Sequence, residues 1–375
     1  GDQPAHRVFP PGQFPPDARL AAPRTLRDPY HSWSPPNELS AWKATREQIR
    51  TQLLVACGLW PLPETTPLQP VIHGLVDEPD YTVERVYFAS RPGLYVTGSL
   101  YRPKGRSGRL PGVLSPHGHW PNGRFYDAGD ADAARQIASG AETLSAAAHS
   151  PLQARMVQLA RMGCVGFHYD MIGYADQGPL DHSSGFSDAE AELRSQNIFG
   201  LQTWNSIRAL DFLCSLPDVD PARIAVTGAS GGGTQTFVLG AIDPRPAVAF
   251  PAVMVSTNMQ GGCVCENASH LRIGLNNVAF AACFAPKPLA MSAANDWTID
   301  ILSKGLPELK QIWGLYDQPD LVHAECWPEF GHNYNERARG MMYGWLNRYL
   351  QLGVAEPIAE RDFRRLSRDE LTVFT

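Results

Sequence analysis

The sequence predicts an α/β protein with a mainly parallel sheet, helices on both faces and an N-terminal extension. Two observations predict it. From about residue 110, short apolar runs alternate with helical patterns, an order that joins parallel strands through crossover helices. Within that stretch, Arg223–Gly228 reads as a buried strand, Gly228-Ala229-Ser230-Gly231-Gly232 as a tight turn and Thr234–Ala241 as the helix that follows.

The elements follow in order. Residues 1–36 are proline-rich and aperiodic, predicting an extended arm on the surface or across a partner. Asn37 is placed to cap a helix running to about Cys57, with Trp42, Ile49, Leu53 and Leu54 on its buried face. Strand-like runs come next, at Val71–Val76, Val83–Ala89, Leu94–Tyr101 and Pro111–Ser115, with turn residues over 58–66 and 104–110. Ser150-Pro151 starts a helix to about Met162, and Cys164–Tyr169 is the next strand. Ile198, Leu201, Trp204, Ile207, Leu210 and Leu213 trace a helical stripe leading to the Arg223 strand. Ala247–Val255, Pro288–Ala294 and Leu321–Trp327 read as strands, and Ile301–Leu315 and Asn335–Leu350 as helices. The expected division is an arm and helix over 1–69, one large domain over 70–351 and a tail over 352–375.

Composition narrows the function classes. The 375 residues are 43% hydrophobic with a formal net charge of −6, and no like-charge run suggests a nucleic-acid or membrane surface. No apolar stretch approaches the roughly 20 residues that cross a bilayer. Self-association into a homo-oligomer is left open. The chain opens on Gly1-Asp2-Gln3, which fits removal of an export signal as well as an arbitrary start; a secreted or periplasmic protein is the expectation. Seven cysteines leave at least one thiol unpaired within the chain, and only Cys263-x-Cys265 has unusual spacing. Two more ligands at matching short spacing are missing, so no structural zinc site is expected; one disulfide involving this pair is open.

The chemistry starts at Ser230. A serine bracketed by glycines between a strand and a helix matches the nucleophile elbow of serine hydrolases. A serine hydroxyl needs a base to take its proton, and the base needs an acid to orient it. His332, in the loop between the last strand and the last helix, is the expected base; His323, within the strand, is expected to be packed or hydrogen-bonded. Asp296, just beyond the Pro288–Ala294 strand, is the expected acid, with Glu266 as first rival and Asp300, assigned to a helix start, as second. The amide of Gly231 and one from Pro116-His117-Gly118-His119-Trp120, that of His119, are the expected oxyanion donors. His117-x-His119 as a metal pair lacks a third ligand at helical or strand spacing, so no metal and no cofactor are expected. Two long segments, 120–150 and 256–286, should shape specificity, with Trp120, Arg124, Glu266, Arg272 and Trp297 as candidate substrate-binding residues. Trp120 and Trp297 suit sugar stacking and equally ordinary packing.

These pieces resemble the α/β-hydrolase superfamily, and within it the acetyl xylan esterases and dienelactone-hydrolase-like carbohydrate esterases. The resemblance rests on His117-Gly118-His119, Tyr169-Asp170, Gly228-x-Ser230-x-Gly232, Asn295-Asp296 and Gly331-His332, spread over about residues 110–350. It implies Ser230, Asp296 and His332 as a triad and a metal-independent serine esterase acting on an esterified carbohydrate. Two features depart from relatives. Asp170-Met171-Ile172-Gly173-Tyr174 lacks the arginine of the Arg-Gly-Gln motif of related acetyl esterases, and Gly231 stands where glucuronoyl esterases place an arginine. A glucuronoyl esterase, a prolyl-oligopeptidase-like peptidase and a catalytically silent binding protein are the alternatives; the peptidase lacks a propeller-length N-terminal region.

Overall fold

The protein is described from a computed structural model, which covers residues 7–13, 15–17, 33–178 and 180–374. Most of the predicted proline-rich arm therefore lies outside the described residues. Helix α1 (Leu39–Ala56) buries Trp42, Ile49, Leu53 and Leu54. Its N-cap is Glu38 rather than Asn37; the Asn37 side chain instead accepts a hydrogen bond from Gln311 at 2.8 Å.

Nine strands form one sheet. β1 (Val71–Asp77), β2 (Tyr81–Arg91) and β3 (Leu94–Pro103) are antiparallel neighbours, and β3 also pairs antiparallel with β5 (Val165–Tyr169). From there the sheet is parallel, in the order β5, β4 (Leu110–Ser115), β6 (Val219–Ala229), β7 (Val248–Ala252), β8 (Leu289–Ala294), β9 (Val322–Trp327). The chain leaves β4 for β5 on one side and returns to β6 on the other. The strand order thus reverses beside β4, and a crevice opens at the carboxyl ends of β4 and β6.

Eleven α-helices occur among the described residues. α2 (Gly129–Ala138) and α3 (Ser145–His149) fold within the long segment after β4, and α4 (Pro151–Arg161) leads into β5. α5 (Ala189–Leu193) and α6 (Ile198–Ser215) precede β6, α7 (Gly231–Ile242) follows it, and α8 (Asn277–Ala282) lies between β7 and β8. α9 (Leu306–Gly314), α10 (Glu336–Tyr349) and α11 (Arg368–Leu371) complete the chain. α9 starts later than its apolar pattern predicts. Gly305 at φ +115° is its N-cap and Pro307 lies in its first turn, so Asp300 sits in a preceding turn rather than at a helix start.

The two faces follow from strand periodicity. On β6, Ile224 and Val226 point to the α6 side while Ala225 and Ala229 point to the side of α4 and α10. Met156 and Leu159 of α4 meet Met342 and Leu346 of α10 on one face; α1, α7, α8 and α9 share a core with Trp204 on the other. Residues 352–374 are packed rather than trailing. Leu366, Leu371 and Val373 are buried, and Gln153 bonds both the N–H and the C=O of Leu366.

A buried ionic knot pins this C-terminal segment. The Arg339 guanidinium, inaccessible to solvent, faces Glu142 and Glu360 with two hydrogen bonds to each carboxylate, at 2.5–2.9 Å. Removing one partner of such a group strands buried charge, so Arg339→Met is expected to cost about 3–5 kcal/mol in a denaturant titration. Burial would raise the Glu360 pKa, but Arg339 and the Tyr343 hydroxyl outweigh it and hold the carboxyl below its ordinary value of 4.5. Glu142 moves upward, because burial exceeds what Arg339 offsets. The Glu360 link is therefore fully stabilising above its unfolded pKa and lost as pH falls through the depressed folded one. In melting curves taken against pH, Glu360→Gln should fall furthest below wild type near neutrality, and the gap should close in acid. A gap that widens in acid would contradict this sign.

Candidate active site

Ser230 joins β6 to α7 with φ +58° and ψ −119°, a conformation that side-chain-bearing residues rarely adopt. Its backbone is held from both sides: its N–H donates to Ala252 O and its C=O accepts from Thr234 N–H, each at 3.0 Å. Close approach explains the neighbouring glycines. A Cβ on Gly228 would stand 2.4 Å from the Pro116 carbonyl oxygen, and one on Gly118 would stand 2.9 Å from Ser230 Cβ. The loop after β4 therefore lies directly over the elbow, with His119 next in sequence to the contact residue Gly118.

His117 holds that loop. Its Nδ1 contacts Gly118 O at 2.8 Å and its Nε2 accepts the Met171 N–H at 3.0 Å, so the neutral ring carries its proton on Nδ1. Burial pushes its pKa down to about 3. With both nitrogens engaged, His117 is not half of a metal pair.

His332 and Asp296 meet across two adjacent loops. His332 Nδ1 lies 2.7 Å from Asp296 Oδ2, and Asp296 Oδ1 accepts from Thr298 N–H at 2.8 Å and from the Thr298 hydroxyl. Asn295 N–H donates to Phe330 O at 2.8 Å, which ties the loop after β8 to the loop after β9. The Asp296 side chain is 4% exposed, whereas His332 is 29% exposed and lines a cleft with Gly118, Trp120, Ala229 and Tyr334. The His332 ring neighbours two indoles, Trp297 at 4.5 Å and Trp120 at 6.2 Å between centroids. Both tryptophans thus contact the imidazole. His323, expected to be packed or hydrogen-bonded, is exposed on β9 with its Nε2 3.5 Å from Glu325 and its ring against Trp345.

Three of the other sequence expectations need correction. Arg124 is turned inward and 1% exposed, with its guanidinium on Asp170, Asp176, Ser99 and the Leu371 carbonyl. It joins the segment after β4 to the segment after β5 and to the C-terminus, so it does not face the cleft. Arg272 organises its own segment, bonding Glu266 O, Asn267 and Asn277. Glu266 is buried, 3.6 Å from His119 Nδ1 and beside the elbow residue Gly231, and its carboxylate pairs with His119 whereas that of Asp296 pairs with His332.

The sequence predicts no structural zinc site at Cys263-x-Cys265 and no metal pair at His117-x-His119, and its spacing does not show a grouping that the structure assembles. His119, His182, Cys263 and Cys265 bring one donor atom each to within 4.8 Å of one another. Spacing could not reveal this, because the residues come from loops after three different strands. Cys263 and Cys265 are free thiols, so the disulfide left open by the sequence is absent.

Arg155 was missed altogether. It lies on α4 within a buried stretch, 3% exposed, with its guanidinium 4.8 Å above the Tyr334 ring and at the wall of the cleft. Its Nε and Nη2 have no hydrogen-bond partner among the described residues. The signal was a charged residue three positions after Leu152 and one before Met156, on a helix face that otherwise packs.

No described helix is long and apolar enough to cross a membrane. Residues 158–269 match the acetyl xylan esterase (AXE1) family. The Bacillus subtilis (strain 168) protein YtaP, named as a hydrolase, is 26% identical over 200 residues, 53% of this chain and 61% of its own. Among solved structures, Methylesterase BT1017 matches 83% of this chain and 65% of its own at 28% identity and a TM-score of 0.69. A glucuronoyl esterase from Solibacter usitatus matches 88% and 99% at 14% identity and a TM-score of 0.58. The chain thus spans less than two thirds of the length of YtaP and of the methylesterase. The chain is an α/β-hydrolase-fold protein resembling the acetyl xylan esterases.

Proposed function

We propose that the protein is a serine carboxylic ester hydrolase acting on an esterified carbohydrate, with Ser230 as nucleophile, His332 as base and Asp296 as its orienting acid. The observation that carries this reading is the His332–Asp296 pair at 2.7 Å, with His332 lining the same cleft as Ala229, the residue just before the strained Ser230. Asp296 on Nδ1 leaves Nε2 as the nitrogen that takes the Ser230 proton while Oγ attacks the ester carbonyl. The tetrahedral oxyanion is met by the amides of Gly231 and His119. Its collapse breaks the C–O bond, and His332 returns the proton to the leaving alkoxide. Water then gives a proton to His332 and attacks the acyl-enzyme; collapse breaks the acyl–Oγ bond, and His332 returns the proton to Oγ, releasing the acid and free Ser230.

A panel of acetylated xylan, methyl esters of uronic acids and prolyl peptides tests the reading. Turnover of one of the ester classes supports it. Turnover of peptides alone would replace it with the peptidase, and binding without turnover would replace it with a silent relative.

Arg155 favours a second reading of the substrate. Arg155 lines the cleft, and although its unpartnered Nε and Nη2 are buried, the positive guanidinium at that wall suits a carboxylate near the scissile ester, as on an acidic sugar polymer. A charged hydrogen bond is worth ~1.5–3 kcal/mol. Arg155→Met should therefore lower kcat/KM about 10–100-fold for a carboxylate-bearing ester and far less for a neutral acetate ester. Equal losses on both substrates would assign Arg155 to packing against Tyr334 instead.

A further inference from the structure

Beside the elbow, four side chains from three loops turn the same kind of atom toward one point. His119 follows β4, His182 follows β5, and Cys263 and Cys265 lie after β7. His119 Nε2 is 3.1 Å from His182 Nε2, Cys263 Sγ is 3.2 Å from His182 Nε2, and Cys265 Sγ is 3.4 Å from His119 Nε2. For zinc with Zn–S of ~2.3 Å and Zn–N of ~2.0–2.1 Å, a tetrahedral angle sets ligand atoms roughly 3.3–3.8 Å apart. The measured separations are close to that range.

The ring orientations point the same way. His182 Nδ1 lies 2.6 Å from the Ile172 carbonyl oxygen, which fixes its proton there and leaves a lone pair on Nε2. His119 Nδ1 faces the buried carboxylate of Glu266 at 3.6 Å, again leaving Nε2 toward the cluster. A histidine whose outer nitrogen faces a carbonyl or carboxylate is the usual second layer of a metal centre. A proton can bridge one pair of these atoms at a time, whereas a cation satisfies all four together.

We propose that His119, His182, Cys263 and Cys265 bind one zinc ion as a closed, four-ligand structural site, with Glu266 orienting His119. Two imidazoles and two sulfurs suit zinc over oxygen-seeking cations, and four protein ligands leave no open position for a reacting water. On binding, each cysteine thiol gives its proton to solvent and coordinates as thiolate, and two thiolates balance the 2+ charge. The ion links the loops after β4, β5 and β7 at the mouth of the crevice. It fixes the backbone next to Gly118, which touches the elbow, and so acts as a positioning element for the Pro116–Trp120 loop. The site does not depend on the ester-hydrolase reading.

The test is metal content and cobalt substitution of the whole chain, read without any activity. Protein purified without chelator should carry about one zinc per chain, and both cysteines should resist thiol reagents until the metal is removed. Replacing zinc with Co²⁺ should give the sulfur-to-cobalt charge-transfer band and the intense visible bands of a tetrahedral site. Second-layer changes typically cost 10–100-fold in metal affinity, so Glu266→Gln should weaken zinc by about that factor. Cys263→Ser and His182→Ala, which remove ligands, should weaken it by at least ~100-fold and change the cobalt spectrum. Wild type supplies the cobalt readout even if one variant fails to fold. Reduced protein that takes up neither Zn²⁺ nor Co²⁺ at micromolar concentration would overturn the proposal. So would a Cys263–Cys265 disulfide that persists in the isolated protein, or a cobalt spectrum unchanged in Cys263→Ser.

Discussion

Ser230→Ala is expected to abolish ester turnover, by a factor on the order of 10⁴ or more in kcat. Only the Oγ is lost. The backbone bonds to Ala252 and Thr234 use the N–H and C=O of residue 230, so the elbow should persist and the melting temperature should change little. The positive φ is as strained for alanine as for serine, so no gain from relaxation is expected. The variant should still bind substrate, because the cleft lined by Trp120, Arg155 and Tyr334 is untouched. A fluorophosphonate probe should label wild type at residue 230 and leave the variant unlabelled. Retention of more than a few per cent of wild-type kcat would remove Ser230 from the nucleophile role.

The sheet and the elbow were legible because each rests on a local signal. The β4, β6 and β8 runs are short, apolar and bounded by turn residues, and their observed limits differ from the expected ones by at most a few residues. Ser230 was legible because strand, glycine-bracketed turn and helix are contiguous. Helices α2, α3, α5 and α8 were not separately resolved: they lie in segments rich in small or polar residues, and α3, α5 and α8 are moreover too brief to show a period. Side-chain direction was the harder problem. Arg124 looked like a cleft residue from its place in a long segment, yet Asp170 and Asp176, 46 and 52 residues away, draw it inward. His119 was read for its backbone amide, and nothing near it in sequence announces Cys263 and Cys265, about 145 residues later. Sequence spacing reports ligands that share a helix or a hairpin. It is silent when a cluster is assembled from the ends of non-consecutive strands.

Asp296→Asn should cost roughly 10³–10⁴-fold in kcat while leaving the fold intact. The carboxylate at 2.7 Å requires a proton on His332 Nδ1, and in the proposed triad it would stabilise the imidazolium formed when Ser230 attacks. An asparagine can turn its NH₂ group toward Nδ1, which favours the tautomer with the proton on Nε2, where Ser230 needs a lone pair. The other oxygen's bonds to Thr298 can be kept by the amide carbonyl, so little stability should be lost. Glu266→Gln is the contrasting variant, because its carboxylate lies on His119 rather than on His332. It should leave the His332 tautomer unchanged and act through the position of the Pro116–Trp120 loop, with a far smaller loss in kcat. Nitrogen-detected NMR of the His332 ring separates the two cases, since only Asp296→Asn should move its proton from Nδ1 to Nε2. If Glu266→Gln produced the larger fall in kcat together with that tautomer change, the acid would be Glu266 and the Asp296 contact a bystander.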